Sequence, residues 1–309
     1  ATTEIYTLSL HDALPISITS MTNTGTISAD RTIGLWNKGT IGTITNSGTI
    51  SAGNSMGLLN DSSATITTIT NSGTISADDD RGLYNIGTIT TLTNSGTISA
   101  VGEYGLKNTG TITTLTNSET ISAGNHFGLY NDTTGTLTTL TNSGTISAGA
   151  QYGLYNKGSI DTITNSGIIS AEGKYGLFNS ATGTITELNN LESGTILSET
   201  NYAITNHGSI VTLTNTGSLT TTGSHAISNN TGTITTFNNL QGKSLDEQGN
   251  SVSNPVTFMK SLPTNYNVIV DGINNYGQIK FDAFSGTTTF GVDSSSTLAN
   301  DTTYSSVLS

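Results

Sequence analysis

Few side chains in this sequence are spaced for chemistry. The four histidines, His11, His126, His207 and His225, share no i, i+4 pairing and no common motif position, so no zinc site is expected. The acidic run Asp78-Asp79-Asp80 has the hard oxygen ligands that suit calcium, but short runs of this kind are usually solvated loop tips, and that is the reading adopted. Glu103, Glu172 and Glu199 fall in well-separated stretches, and no neighbouring pair of carboxylates recurs as glycosidic cleavage requires. No catalytic residue, metal site or cofactor is therefore expected.

Two recurrent surface patterns remain. One places Trp36, Leu59, Tyr84, Lys107, Tyr130, Tyr155 and Phe178 each after a recurring leucine, where strand alternation turns them outward. An exposed stripe with Trp36, Tyr84, Tyr130, Tyr155 and Phe178 would suit a ligand such as a carbohydrate, or would simply stiffen a sheet by cross-strand stacking. The residue two before each leucine (Tyr104, Phe127, Tyr152, Tyr175, Tyr202) shares the leucine's parity and is expected to close the core at a corner, incompletely because Arg81 occupies one place. The other pattern is T-x-T: Thr65 and Thr67, Thr88 and Thr90, Thr111 and Thr113, Thr136 and Thr138, Thr184 and Thr186, Thr233 and Thr235. A flat threonine array resembles ice-binding faces, although Asp161 and Val211 interrupt it.

What positions these residues is an internal repeat. The segment ITNSGTISA recurs from Ile44, Ile69, Leu92, Leu115, Leu140, Ile163, Leu188 and Leu213 at steps of 23 or 25 residues. The two-residue extensions fall at one point, as in Asn60 to Thr65 and Asn131 to Thr136, which marks a turn. Thr and Ile favour extended strands, helix periodicity is absent, and frequent glycines would cost a helix about 1 kcal/mol each. Each unit is therefore a set of short strands that cannot bury its four apolar residues alone, but can do so stacked at about 4.8 Å per coil. The predicted fold is all-β, a single-stranded right-handed parallel β-helix (β-solenoid) of about ten coils.

Columns follow from the period. Ile27 to Leu219 and Leu35 to Ile227 form inward ladders. Asn46, Asn71, Asn94, Asn117, Asn142 and Asn165 belong to one amide ladder, and Asn37, Asn60, Asn85 and their successors to a second. Asn and Gly two apart suggest bends with positive φ, so Glu119, which replaces the glycine of N-x-G, is expected in a strained or locally rearranged turn. The expected divisions are an array over 18–245 with Leu245 as its last inward member, a linker over 246–263 containing Pro255 and Pro263, and a C-terminal β cap over 264–309 without the 23-residue period.

Composition agrees. Of 309 residues only 10% are charged, 21 acids face 9 bases for a net charge of −12, and there is no cysteine. That balance argues against nucleic acid or anionic membranes as partners, and the lack of cysteine excludes disulfides and thiol sites. No apolar run is long enough for a membrane helix.

The repeat GLYN-x-GTI-x-TLTNSGTISA, with the tail segments at Tyr266 to Ile269, Tyr276 to Ile279, Thr289 to Val292 and Tyr304 to Leu308, resembles the passenger region of Gram-negative autotransporters, the type V secretion proteins. The resemblance covers about Ile18 to Ser309. It implies a cell-surface stalk or adhesin, exported and anchored by a C-terminal outer-membrane β-barrel that this sequence lacks. Its partners would be that barrel and a glycan or protein ligand. It also implies folding from the C-terminal end, with the tail as nucleus. An ice-binding solenoid and a polysaccharide-acting enzyme are the alternatives. Residues 1–17 carry none of the repeat. Thr7 to Ile16, TLSLHDALPI, looks like translated sequencing-adapter DNA, so 1–17 is expected to be an assembly artefact.

Overall fold

β-Branched Thr and Ile, broken every few residues by an Asn- or Gly-containing bend, leave the chain only short extended segments. The computed structural model describes residues 17–300 and 302–309, and among these there is no helix. The expected artefact, apart from Ser17, lies outside the described residues. Each coil of the array supplies three strands, for example Thr88–Asn94, Thr97–Ala100 and Tyr104–Asn108. Like strands of successive coils pair in parallel. Sheet A has 12 strands, from Ser17–Asn23 to Thr289–Val292; sheet B has nine, from Thr26–Ala29 to Ser218–Thr221. Sheet C has 11, from Ile33–Asn37 to Ile279–Ser285. This is a β-solenoid of about twelve turns.

Register is kept by identity. Ile98 lies between Ile75 and Ile121, and Leu106 between Leu83 and Leu129. Where a coil is longer by two residues, the excess is held in a turn closed by Ala64 N–H to Asp61 O (3.0 Å) or Gly135 N–H to Asp132 O (2.8 Å). Four aliphatic residues per coil, such as Ile89, Leu92, Ile98 and Leu106, are fully buried and form continuous columns. Both asparagine ladders run inside the solenoid beside them. Asn71 Nδ2 donates to Asn94 Oδ1, and Asn94 Nδ2 to Asn117 Oδ1, each at 2.8 Å; each amide also donates within its own bend and to the next coil. A buried amide is tolerable here because its donors and acceptor are satisfied.

Four expectations need correction. The N-x-G bends do not use positive φ: the glycines that do are Gly249, Gly272 and Gly286, all outside the repeats. The glycine is favoured by coil-to-coil contact instead, since a Cβ on Gly96 would lie 2.2 Å from Gly73 O unless the coils shift. Glu119 is exposed and not in a left-handed turn. The ladder is kept on both sides of it: Thr120 N–H reaches Gly96 O at 3.1 Å and Thr145 N–H reaches Glu119 O at 2.7 Å.

The array also does not give way to a linker and a separate cap. Val256–Ser261 pairs with Ile227–Asn229, and Asn265–Val268 with Thr233–Asn239. Sheets A and C therefore run on, while sheet B ends with Ser218–Thr221 and gives way to an antiparallel hairpin, Gly242–Leu245 with Ser251–Ser253. That hairpin lengthens the coil, so the register steps are 31 from Ile227 to Phe258 and 29 from Phe237 to Tyr266. They then return to 23 from Phe258 to Phe281 and 24 from Tyr266 to Phe290. Leu245 is not inward; it lies in the hairpin, 48% exposed.

Candidate functional site

Sheet C carries the most distinctive side chains, and its local geometry explains where they point. In Arg81–Asn85 both Gly82 and Leu83 are buried. A Cβ on Gly82 would lie 2.6 Å from Ser99 O, across the interior in sheet B. Two successive residues thus face inward, and the alternation slips by one. The side chain two before each leucine is consequently turned to the outer face, not to a core corner as parity suggested. Tyr104 there meets Tyr130 at 5.3 Å, and Tyr152 meets Tyr155 at 4.9 Å.

The outer face therefore holds two ring columns instead of one. Tyr104, Phe127, Tyr152, Tyr175 and Tyr202 form the first, with centroids 5.1, 5.3, 5.6 and 5.8 Å apart. Tyr130, Tyr155 and Phe178 form the second, at 5.2 and 4.9 Å with planes 9° and 2° apart. Mutual packing removes much of the expected exposure. Trp36 is 48% exposed, but Tyr130 is buried, and Tyr84, Tyr155 and Phe178 are half-buried. The membership of the Tyr104 to Tyr202 column was legible from the repeat, but its outward face was not, because the slip at glycine leaves no mark in the alternation.

Cations are interleaved with the rings. Lys38 lies over Trp36 (3.7 Å), Arg81 over Tyr84 (4.6 Å), Lys107 over Tyr104 (5.0 Å), Lys157 over Tyr155 (5.6 Å) and Lys174 over Tyr152 (5.5 Å). Burial pushes the Tyr104 phenol up to about 12, with Glu103 adding to the shift. Burial, then the Asp132 charge, also raises Tyr130, and burial raises Tyr152 and Tyr175. For Asp132 burial works upward but is outweighed by the Thr133 N–H, Lys107, Tyr130 and Lys157, which hold its carboxyl below the usual range. Asp80, desolvated and beside Glu103, is raised despite Arg81 at 2.7 Å.

On sheet A, Ile89 and Leu92 are both fully buried although three residues apart. Thr90 and Thr91 therefore both turn away from the core, and the threonine surface bends along that line instead of lying flat. Asp161 and Val211 break the Thr90 column as expected. The columns flanking Leu92 are more regular, running without a break from Thr43 to Thr162 and from Thr45 to Thr164.

The histidines stand apart. His126 packs on Phe127 (5.9 Å), His207 on Phe178 (5.3 Å), and His225 Nε2 contacts Asp282 at 3.0 Å. Among the described residues no three His, Asp or Glu side chains group as metal ligands. A cleft of about 640 Å³ lies beside the Gly242–Leu245 hairpin, lined in part by Glu192, Lys243, Asn254 and Asp271. No nucleophile there is hydrogen-bonded to a base. No helix among the described residues is long and apolar enough to cross a membrane.

The chain is thus a β-solenoid whose regular faces, more than any pocket, carry its distinctive chemistry. Comparisons with protein-family models, curated proteins and solved structures give no match to it.

Proposed function

We propose that this chain is a rigid surface stalk with an adhesive face, the passenger of an autotransporter carried on a Gram-negative outer membrane by a C-terminal barrel. The observation that carries the adhesive reading is the doubled ring column on the outer face of sheet C, interleaved with cations and repeated coil by coil. A solenoid needs no aromatic on its outer face to fold, since its core is satisfied by Ile and Leu columns. Aromatic surface on an outer face commonly marks a contact site, and these columns, half-buried by mutual packing, still present their edges there. Binding of the purified chain to cells and to a glycan array tests the adhesin. An open reading frame encoding a β-barrel immediately downstream in the gene tests the secretion class, and any other downstream sequence counts against it.

A second reading rests on the unbroken threonine columns flanking the Leu92 ladder, whose hydroxyls repeat in register over six coils. Such a lattice suits ordered water. Thermal hysteresis at millimolar protein is the measurement that separates it, since an adhesin gives none.

A further inference from the structure

The ring face of sheet C is not uniform in charge. In its middle coils two cations are neutralised internally: Arg81 meets Asp80 at 2.7 Å and Lys107 meets Asp132 at 3.6 Å, whereas Lys38 over Trp36 makes no salt bridge among the described residues. In the stretch from Gln151 to His207, Lys157 and Lys174 lie over tyrosine rings and make no salt bridge among the described residues, Lys157 acting on Asp132 only from beyond contact and more weakly than Lys107. This matters in a chain of net charge −12, where Lys38, Arg81, Lys107, Lys157 and Lys174, five of nine Lys and Arg, lie over rings of this one face.

The rings themselves narrow the ligand. Tyr155 and Phe178 stack with planes 2° apart, and Tyr175 and Tyr202 with planes 11° apart. Their faces are covered by one another. A base or a neutral sugar stacks on an open ring face, so neither finds its usual platform. What remains is ring edge, which carries positive partial charge, and hydroxyl. The hydroxyls of Tyr152, Tyr155, Tyr175 and Tyr202 have no hydrogen-bond partner among the described residues and are not among the buried unpaired polar atoms, so they reach the surface. Burial holds Tyr152 and Tyr175 protonated well above neutral pH, which keeps them donors.

Resting on the adhesin reading, we propose that this stretch is a docking strip for an extended anionic glycan. Carboxylate or sulfate groups pair with Lys157 and Lys174, and the phenol hydroxyls donate to acceptors along the chain. Centroid steps of 5.6 and 5.8 Å from Tyr152 through Tyr175 to Tyr202 repeat the donors in a line, which favours a polymer over a compact anion.

The test uses the whole chain and immobilised polygalacturonate, with neutral dextran and single-stranded DNA as comparison surfaces. Saturable binding to polygalacturonate that weakens with added salt is expected, with no binding to dextran. The double variant Lys157→Gln/Lys174→Gln should bind about tenfold more weakly, while Lys107→Gln, whose charge Asp132 already meets, should change binding by less than about twofold. Tyr152→Phe/Tyr175→Phe keeps the stack and removes two donors, and should weaken binding without altering the circular dichroism. Unchanged binding by the double lysine variant, or equally tight binding to dextran or DNA, overturns the proposal. Adhesion to cells with no affinity for polygalacturonate overturns the strip alone; affinity for polygalacturonate without cell adhesion supports the strip and overturns the adhesin.

Discussion

The repeat array and the last turns of the solenoid share two sheets but solve their cores differently. In the array each coil buries small aliphatics beside two asparagine ladders, and every ladder rung hands its amide to the next. Beyond Asn229 and Asn239 the ladders stop. Asn229 Nδ2 ends on Ser261 O at 2.7 Å, and Asn239 Nδ2 on Gln241 O, Gln278 O and the Tyr266 hydroxyl. Aromatics then fill the interior: Phe237, Phe258, Tyr266 and Tyr276 are fully buried. A ladder of identical rungs can be extended indefinitely but cannot end itself, because the last rung leaves a donor exposed. Larger, non-repeating side chains supply an ending.

The largest expected effect comes from removing that ending. Deleting Thr264–Ser309 strips Tyr266 and Phe281 from Phe237 and Phe258, and leaves the outermost strands of sheets A and C unpaired. Aggregation or slowed refolding is expected, as for an uncapped solenoid. Refolding at the rate of the whole chain would show that the array needs no ending.

Within the array, Asn94→Ala removes bonds to Gly96 O (2.9 Å), Asn117 Oδ1 (2.8 Å) and Thr120 O (3.0 Å) and the acceptor for Asn71. Urea denaturation should register a loss of about 3 kcal/mol, because fully buried polar groups are left unpaired. Asn229→Ala, at a ladder end with one donated bond, should lose about half as much. Equal losses at the two sites would mean that the rungs are not cooperative.

Much of this was legible beforehand, for reasons that particular residues make plain. The strands, the inward columns and the ladders follow from a period that insertions never disturb, because each extension sits in a turn such as Asp61 to Ala64. The continuation of the solenoid past 245 was hidden by the hairpin around Asp246 to Asn250, which stretches two steps to 29 and 31 residues before the period resumes. The outward face of the Tyr104 to Tyr202 column was hidden by the slip at Gly82 and its equivalents. The role of glycine was misread because local sequence reports a bend, whereas the contact that excludes a Cβ lies in the coil below.

The end of sheet B shows how a side chain substitutes for a missing strand. Gln241 Oε1 accepts from Leu219 N–H at 2.7 Å, and its Nε2 donates to Leu219 O at 3.1 Å, the pattern of a peptide group. Gln241→Ala should cost about 2 kcal/mol, read by urea denaturation, from backbone groups left without partners. A smaller loss would mean that water replaces the amide.

On the ring face, Asp132→Asn tests whether charge contributes to the stack. Its folded carboxyl is held below the usual range, so its contribution is present above the unfolded value and disappears as pH falls through the folded one. The variant should lose no more than about 1 kcal/mol at pH 7, because the pair with Lys107 is partly solvated, and nothing once both forms are protonated in acid. A difference that persists in acid would assign the effect to packing against Tyr130.

The smallest effect is expected at Leu245, and it separates the two regions most sharply. The inward leucine of the last sheet B strand, Leu219, is 1% exposed, and truncating such a residue costs on the order of 3 kcal/mol. Leu245 is 48% exposed in the hairpin that displaces sheet B. Leu245→Ser should therefore shift stability by less than about 0.5 kcal/mol. A loss near that of a core leucine would mean that the strand Gly242–Leu245 packs inward after all, and that sheet B, like sheets A and C, runs beyond Thr221.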